Sequence, residues 1–209
     1  MEIVNNLSNA YNRSYELACE KLRRQDPLET ADFCGAVCDG NLISIKHLGT
    51  FYSVNCATGE VLYKTDPTLA VPVSTKVLLT HYLTNACDVA LSGRLISFKE
   101  LPCGGAIYDP NFDKRSVRPL VKRFGEDTQA LFAAAMSIGG QRASFGHASV
   151  KIDLFPRVPA TYVIWQGDED IPPSGTILFD ASIVSYLPVE DIAVVASSGT
   201  YELIKRANK

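Results

Sequence analysis

The sequence predicts an α+β fold, a single domain over residues 1–209 that combines an antiparallel or mixed sheet with segregated helices. Segments with a helical period and segments with a period of two occur in blocks, which disfavours a doubly wound sheet. A chain of 209 residues can bury a sizeable core without disulfides. Its content of 46% hydrophobic and 21% charged residues is typical of a folded protein.

Two helices are predicted at the beginning of the chain. Apolar residues recur at helical spacing from Ser8 to Arg24, and basic residues collect in the last turn, where they favour the negative end of the helix dipole. Asp26 and Pro27 then provide an N-cap and a first helical residue, and Gly35 provides a C-terminal stop. The second helix is therefore expected to be short.

The next segment, residues 36–64, predicts a small antiparallel meander. Apolar and polar residues alternate along it with a period of two. Asp39-Gly40 and Thr58-Gly59 are typical hairpin-turn sequences at either side of this alternation.

Three helices are predicted in the middle of the chain. The first covers residues 73–86, where apolar residues share one face. The second begins at Asp109-Pro110 and runs toward Gly125, with a bend or break near Pro119 because proline has no backbone N–H. Asp127 is the expected N-cap of the third.

The last third of the chain contains the strongest strand patterns. Residues 150–154 alternate as in a half-buried strand, whereas the continuous apolar run 162–165 is typical of a central one. Residues 176–179 predict a third strand. Pro188 begins a final helix, which we expect to be interrupted near Ser198-Gly199.

Charge and motifs disfavour several functional classes. A net charge of -3 disfavours a nucleic-acid partner, since such proteins need a surplus of Lys and Arg to displace counterions. No apolar run reaches the roughly 18–20 residues that cross a bilayer, so we expect no membrane association. The first residues resemble no signal peptide, so we expect a cytoplasmic protein. Sequences typical of P-loops, dinucleotide sites and nucleophile elbows are missing.

Of the 6 cysteines, Cys34 and Cys38 come closest to a metal motif. Zinc and iron–sulfur sites usually place two thiolates closer together on a tight turn. Cysteines in a reducing compartment are mostly small buried side chains. We therefore expect that Cys34 and Cys38 do not jointly hold a metal, and a cysteine-ligated site is the alternative.

The 3 histidines are too few and too scattered for a zinc-hydrolase motif. His81 lies on the apolar face of a predicted helix, where we expect a core imidazole with one backbone partner. His147 follows Ser-Phe-Gly at the start of a strand. A solvent-facing loop residue is the preferred interpretation for His147, and a general base is the alternative.

An acidic segment follows the predicted central strand. Asp168 and Glu169 lie just after that strand, and Asp180 ends the next one. If the two strands pair as a hairpin, these acids would come close to one another, and carboxylates crowded in this way bind a cation or perform acid–base chemistry. For the segment alone, a solvated turn is the preferred interpretation. The prediction to be tested is that Asp168, Glu169 and Asp180 form the edge of a functional surface. Together with Trp165 and His147, they are the candidate ligand-binding residues.

Trp165 ends the central strand, and we expect it to be a packing residue. Truncation of a buried aromatic side chain to alanine costs about 3–5 kcal/mol.

Five basic residues on the predicted helix before Gly125 could hold an anion, but a charged, solvated face is the preferred interpretation. They are Lys114, Arg115, Arg118, Lys122 and Arg123.

Several segments resemble successive motifs of a bacterial and archaeal domain of unknown function, numbered 3786. They are 78–83, 96–102, 156–159, 165–169, 177–180 and 186–191. The family has no established activity. The resemblance implies a redox or cofactor-linked setting, since the family is commonest in anaerobes with corrinoid and one-carbon metabolism. Some members resemble fusions with a four-cysteine iron–sulfur domain that the printed sequence lacks, and an acid is common where His147 stands.

Three functional hypotheses follow. The preferred one is an accessory protein without chemistry of its own, which binds a small cofactor or a redox-enzyme partner through the acidic strand-end region. The second is a small enzyme in which Asp168, Glu169 and Asp180 act as acid–base or cation-binding groups. The third is a cysteine-ligated metal or iron–sulfur protein.

Overall fold

The structure, a computed structural model, describes the backbone of residues 2–208 and the side chains of residues 9–208. In this part of the chain it contains α-helices and two antiparallel sheets, of 4 and 5 strands, which confirms the predicted α+β class. The chain divides into two compact units. The first holds the segment up to Val89 and Ser185–Leu187, and the second holds Ala90–Val184 and the segment from Pro188 onward. A single domain remains a prediction.

The first unit carries the N-terminal helices and the four-stranded sheet. Its elements are α1 (Glu2–Leu22), α2 (Pro27–Cys34), β1 (Val37–Asp39), β2 (Leu42–His47), β3 (Thr50–Asn55), β4 (Val61–Tyr63) and α3 (Val73–Asn85). Consecutive strands pair antiparallel in the order β1-β2-β3-β4, which confirms the predicted meander.

Local sequence determines where α2 begins and ends. The Asp26 carboxylate accepts hydrogen bonds from the backbone N–H of Leu28 at 2.8 Å and of Glu29 at 3.0 Å. Gly35 follows the helix with a φ of 63°, a left-handed conformation that glycine adopts without steric cost. Both boundaries agree with the prediction. By contrast, α1 begins earlier than predicted, at Glu2.

The alternating pattern of the meander produces one buried and one accessible face. Across β2 and β3, Ile43 pairs with Val54 and Ile45 pairs with Tyr52, and all four side chains are buried. Phe51 belongs to the opposite face and is half exposed. The period of two in the sequence therefore identified the core face correctly.

The second unit contains the five-stranded sheet and the remaining helices. Its elements are β5 (Leu95–Ser97), α4 (Gly105–Phe112), α5 (Arg118–Phe124), α6 (Thr128–Met136), β6 (Gln141–Ala143), β7 (Ala148–Phe155), β8 (Val158–Trp165), β9 (Ser174–Asp180) and α7 (Val189–Ala207). The strand order is β5-β9-β8-β7-β6, and all neighbours are antiparallel.

β8 occupies the centre of this sheet, as its apolar sequence predicted. Residues 158–164 are all buried, and β8 pairs with β7 on one side and with β9 on the other. The predicted strands 150–154 and 176–179 lie within β7 and β9 and are therefore confirmed. Buried side chains on both faces of β8 explain why its sequence does not alternate.

The helical segment that precedes α6 begins earlier than predicted. α4 starts at Gly105, so Pro110 lies inside it rather than at its first position. The Asp-Pro pattern misplaced the start because a proline within a helix removes one hydrogen bond without always ending the helix. The predicted break is present as a π-turn over Asp113–Val117, and Pro119 stands in the first turn of α5.

Hydroxyl groups of α7 donate hydrogen bonds to backbone carbonyls of the broken helical segment. Because Pro119 has no backbone N–H, the carbonyl of Arg115 lacks its usual helical donor. The Ser197 hydroxyl donates to that carbonyl at 3.3 Å, and the Thr200 hydroxyl donates to the carbonyl of Ser116 at 3.1 Å. Two polar residues on the buried side of α7 therefore have a structural role.

α7 is continuous from Val189 to Ala207, which corrects the predicted interruption near Ser198-Gly199. Gly199 is where the helix meets the sheet, since a Cβ atom placed there would lie 2.0 Å from the Tyr162 hydroxyl oxygen. That hydroxyl donates to the carbonyl of Ala196 at 2.9 Å. The glycine therefore marks a close approach and not a helix end.

The two longest helices in the described part of the chain carry both polar and apolar side chains. α1 and α7 contain 21 and 19 residues, and both carry charged side chains. Within residues 2–208, no helix combines the length and the apolar character needed to cross a bilayer.

Candidate functional site

Two hairpin loops of the five-stranded sheet meet at one end of β7 and β8. The first loop, between β6 and β7, carries His147, and the second, between β8 and β9, carries Asp168 and Glu169. The backbone N–H of His147 donates to the carbonyl of Ile164 at 2.9 Å, which extends the β7–β8 ladder past Ala148. We call His147, Trp165, Asp168 and Glu169 the strand-end site.

His147 is held by the second loop. Its Nδ1 accepts a hydrogen bond from the backbone N–H of Gln166 at 2.9 Å. A ring nitrogen that accepts is unprotonated, so the neutral imidazole carries its hydrogen on Nε2 as a donor. The side chain is exposed, as predicted for a loop position. His147 can therefore offer one hydrogen-bond donor to a ligand.

Trp165 is 38% exposed, which corrects the prediction that it is a buried packing residue. It is the last residue of β8 and pairs with Ser174, so the core that covers the rest of the strand ends before it. Part of its indole lies on the first loop, where a Cβ atom at Gly146 would be 3.3 Å from Trp165 Cε2. The remaining ring surface faces solvent.

Trp165→Ala should therefore destabilise the protein less than truncation of a buried aromatic residue. We expect a loss of about 1–2 kcal/mol in the free energy of unfolding, against the roughly 3–5 kcal/mol of a fully buried site. Urea denaturation followed by far-ultraviolet circular dichroism measures it. Phe179→Ala, at a fully buried position of the neighbouring strand, is the control that measures the loss of stability from truncating a buried aromatic side chain. A loss equal to that of Phe179→Ala would contradict the exposed position of Trp165.

The acidic loop is organised by Asp168. Its carboxylate accepts from the backbone N–H of Asp170 at 3.0 Å and of Ile171 at 2.8 Å. These two hydrogen bonds outweigh a small opposing effect of burial and lower the pKa of Asp168. Asp168 therefore shapes the turn, while Glu169 is exposed with no such role among the described contacts.

An open pocket of ≈ 500 Å³ adjoins this loop. Its lining combines the loop with the end of α5, namely Gly125, Glu126, Gln166, Gly167, Asp168, Glu169 and Pro173. Neither Trp165 nor His147 is among the residues that line the pocket. Three of the seven lining residues are acids, so a negative potential is expected inside it.

Asp180 does not belong to the strand-end site, which corrects the prediction that the three acids approach one another. β8 and β9 do pair as a hairpin, with Trp165 opposite Ser174 near the loop and Ala160 opposite Phe179 at the other end. A rise of about 3.4 Å per residue separates those two pairs by roughly 17 Å. An antiparallel hairpin brings the end of its first strand to the start of its second, and Asp180 follows the second.

Asp180 instead anchors the loop before β5. Its buried carboxylate accepts from the Ser92 N–H at 2.9 Å, the Ser92 hydroxyl at 2.8 Å, the Gly93 N–H at 2.7 Å and the Ser182 N–H at 2.9 Å. Burial by itself raises the pKa, but hydrogen bonds from Ser182 and Ser92 hold the pKa of Asp180 well below its usual range. This is a structural role.

Five of the 6 cysteines are dispersed in the first unit, and Cys103 lies in the second. Cys34 is fully buried in α2, and its thiol donates to the carbonyl of Tyr82 at 3.7 Å, whereas the Cys38 thiol donates to the carbonyl of Gly40 at 3.3 Å. Burial, with a smaller contribution from Cys38, raises the pKa of Cys56 to about 11, which keeps this thiol protonated at neutral pH.

Among the described residues, no group of three or more His, Cys, Asp or Glu side chains is placed to hold a metal ion. This finding does not test whether Cys34 and Cys38 jointly hold a metal, so the expectation that they do not stays a prediction.

His81 is half-buried, and its Nε2 lies 3.0 Å from the Ser14 hydroxyl of α1. The expected backbone partner of this imidazole stays a prediction. The basic residues of the α4–α5 segment do form a largely solvated face, since all of them except Arg123 are exposed. Arg118 pairs with Asp113 at 2.6 Å, and Arg123 pairs with Asp127 at 3.4 Å.

Some residues near the strand-end site were missed in the sequence. Glu126 follows α5, and no sequence pattern places it against a loop more than forty residues later. Phe145 and Ile171 are 44% and 64% exposed on the two loops that form the site. The sequence does show these two large apolar residues in predicted loops. Several exposed apolar side chains close together often mark an interaction site, so this pattern could have indicated the site.

The family comparison identifies the chain. Residues 26–201 match the model of the family described as Domain of unknown function (DUF3786). The chain belongs to this family. The match includes every residue of the strand-end site and also Asp180. No curated protein and no solved structure is significantly similar to this DUF3786 protein.

Proposed function

We propose that this DUF3786 protein is a cytoplasmic accessory protein without chemistry of its own, which binds a small planar cofactor at the strand-end site. The partly exposed indole of Trp165, the last residue before the acidic loop, is the observation that carries the proposal. A partly exposed aromatic face offers a stacking surface, which a ring system of a cofactor can cover. The redox setting implied by the family resemblance agrees with such a ligand.

Charge restricts the class of cofactor. Glu126, Asp168 and Glu169 line the pocket, and Asp170 lies on the same loop. A ligand with a free phosphate group would be repelled by these carboxylates, whereas an uncharged or cationic ring system would not. The donor on His147 Nε2 and the carboxylate of Glu169 supply complementary hydrogen-bonding groups.

The enzyme hypothesis has less support from the geometry. It required Asp168, Glu169 and Asp180 in one site, and Asp180 lies at the opposite end of the hairpin. Of the two remaining acids, Asp168 uses its carboxylate to shape the loop. A binding role for the site needs neither a third carboxylate nor an activated nucleophile.

Tryptophan fluorescence can test the proposal directly, since the chain contains 1 tryptophan and it lies at the site. We expect riboflavin, an uncharged planar probe, to quench this fluorescence with a saturable curve. We also expect flavin mononucleotide to bind at least about tenfold more weakly, because it carries the same ring system with an added phosphate. Equilibrium dialysis of both probes provides a measurement independent of fluorescence.

Glu169→Gln is the test variant, and Asp153→Asn is its control, an exposed acid elsewhere on the same sheet. Neutralising Glu169 should reduce the difference in affinity between riboflavin and flavin mononucleotide, whereas the control variant should leave that difference unchanged. Protein purified without oxygen should also retain a planar small molecule that mass spectrometry detects after denaturation. Absence of any retained molecule, together with no quenching by riboflavin, would disprove the proposal.

A further inference from the structure

A second concave site lies in the groove between α4 and the first turns of α7, away from the strand-end loops. The pocket measures ≈ 400 Å³, a volume typical of sites for small ligands. Phe98 and Phe112 form part of its wall, and both side chains are almost fully buried. Their rings stack with centroids 4.1 Å apart and planes inclined by 5°. The inner part of the groove is thus rigid and apolar.

The α7 side of the groove is also apolar at its base. Val189, Ala193 and Val194 line it at helical spacing, and Val189 is buried. Tyr108 and Asn111 line the α4 side, where Tyr108 is 44% exposed and presents a phenol to the opening. An apolar interior with a few polar groups at the opening is the usual form of a site for a small molecule.

Each wall of the groove carries one charged side chain, and the two charges have opposite sign. Arg115 belongs to the π-turn that continues α4, and Glu190 belongs to the first turn of α7. Both are exposed, and neither side chain forms an ion pair or hydrogen bond with another described residue. π-turns are rare and often occur at functional sites, and here the turn carries the cation of the pocket.

These charges discriminate between ligands. A bare carboxylate would be attracted by Arg115 and repelled by Glu190, and a bare amine would experience the reverse. A molecule that carries both a carboxylate and an ammonium group satisfies both side chains at the rim. Its apolar part would then enter the groove, where no charged side chain other than these two lines the pocket.

We infer that this groove binds a free apolar α-amino acid, with its carboxylate at Arg115, its ammonium group at Glu190 and its side chain against Phe112 and Val189. Burial of the apolar side chain supplies affinity, and the two charges supply specificity. This inference is independent of the cofactor proposed for the strand-end site.

Titration of the full chain with L-phenylalanine and L-leucine, followed by amide NMR shifts, tests the inference. We expect saturable shifts at Phe112, Val189 and Ala193. Phenethylamine and phenylpropionate, which each lack one of the two charged groups, should bind at least about tenfold more weakly, because each leaves one charged partner unpaired.

Arg115→Gln and Glu190→Gln should each weaken L-phenylalanine binding by about tenfold. Lys114→Gln is the matched control, since Lys114 is the exposed neighbour of Arg115 outside the pocket lining, and it should leave the affinity unchanged. Ala193→Phe, which fills the groove without changing its charge, should abolish binding. Circular dichroism of each variant confirms that it is folded.

Three results would overturn the inference. One is the absence of shifts with either amino acid up to its solubility limit. Another is equal binding of L-phenylalanine and its two singly charged analogues, which would indicate a non-selective apolar groove such as a peptide-docking surface. The third is unchanged affinity in both Arg115→Gln and Glu190→Gln.

Discussion

Gly199→Ala should destabilise this protein by about 3 kcal/mol, although alanine is the better helix former. A Cβ atom at this position would lie 2.0 Å from the Tyr162 hydroxyl oxygen and 2.8 Å from Leu154 Cδ2. Both partners belong to the centre of the five-stranded sheet and are fully buried, so neither side chain can move aside into solvent. α7 must therefore shift away from the sheet, and the loss of packing exceeds the gain of about 1 kcal/mol in helix propensity.

A double-mutant cycle separates the clash from other effects. Tyr162→Phe removes the hydroxyl that the new methyl group would strike, and by itself it removes the hydrogen bond to the carbonyl of Ala196. Gly199→Ala should cost about 1–2 kcal/mol less in the Tyr162→Phe background than in wild type. Ser198→Ala is the control on the same helix and should change stability by no more than about 0.5 kcal/mol.

Urea denaturation of the four proteins in the cycle supplies the free energies. Because α7 contacts the sheet in the folded state alone, the effect should appear in the midpoint rather than in the slope of the transition. A Gly199→Ala variant as stable as wild type, with no coupling to Tyr162, would mean that α7 does not pack on β8 in this way.

Asp180→Asn should destabilise the protein by about 2–4 kcal/mol. The carboxylate accepts four hydrogen bonds from Ser92, Gly93 and Ser182, three of them from backbone N–H groups. An asparagine side chain has one acceptor oxygen, and its NH2 group would face donors. Asp153→Asn is the control, because Asp153 is exposed on β7 of the same sheet and should be close to neutral.

The contribution of Asp180 should depend on pH in a defined direction. Its pKa is lower in the folded protein than the value of about 3.9 expected for the unfolded chain. Its stabilisation is therefore fully present well above pH 4 and is lost as the pH falls through the lower, folded pKa. The difference between wild type and Asp180→Asn should shrink below about pH 4. A difference that is constant from neutral pH to pH 3 would contradict the role assigned to the carboxylate.

Much of the local structure follows from the sequence because it depends on neighbouring residues. Asp26 and Asp127 cap helices through backbone N–H groups two or three residues ahead, and Gly35 accepts a left-handed conformation. The apolar run in β8 indicates a strand covered on both faces, whichever elements cover it. The α+β class was correct because it requires only the type and order of such elements.

The candidate site depends on which distant residues meet. The sequence suggested a β8–β9 hairpin as one possibility, and the structure contains it. The antiparallel direction and the register of that hairpin place Asp180 and Asp168 at opposite ends. Trp165 is exposed because the core stops one residue before it, and strand composition does not indicate where the covering layer ends.

The sequence by itself determined the helix caps, the strand periodicity and the absence of the common nucleotide-binding motifs. Only the tertiary structure decided the roles of Ser197, Gly199 and Thr200, which surround the predicted helix interruption near Ser198-Gly199. Their partners are Tyr162 and the carbonyls of the π-turn, which lie 37 to 84 residues away along the chain. Contacts over such separations depend on how the layers pack, whereas a cap or an alternating strand is stabilised by groups a few residues apart.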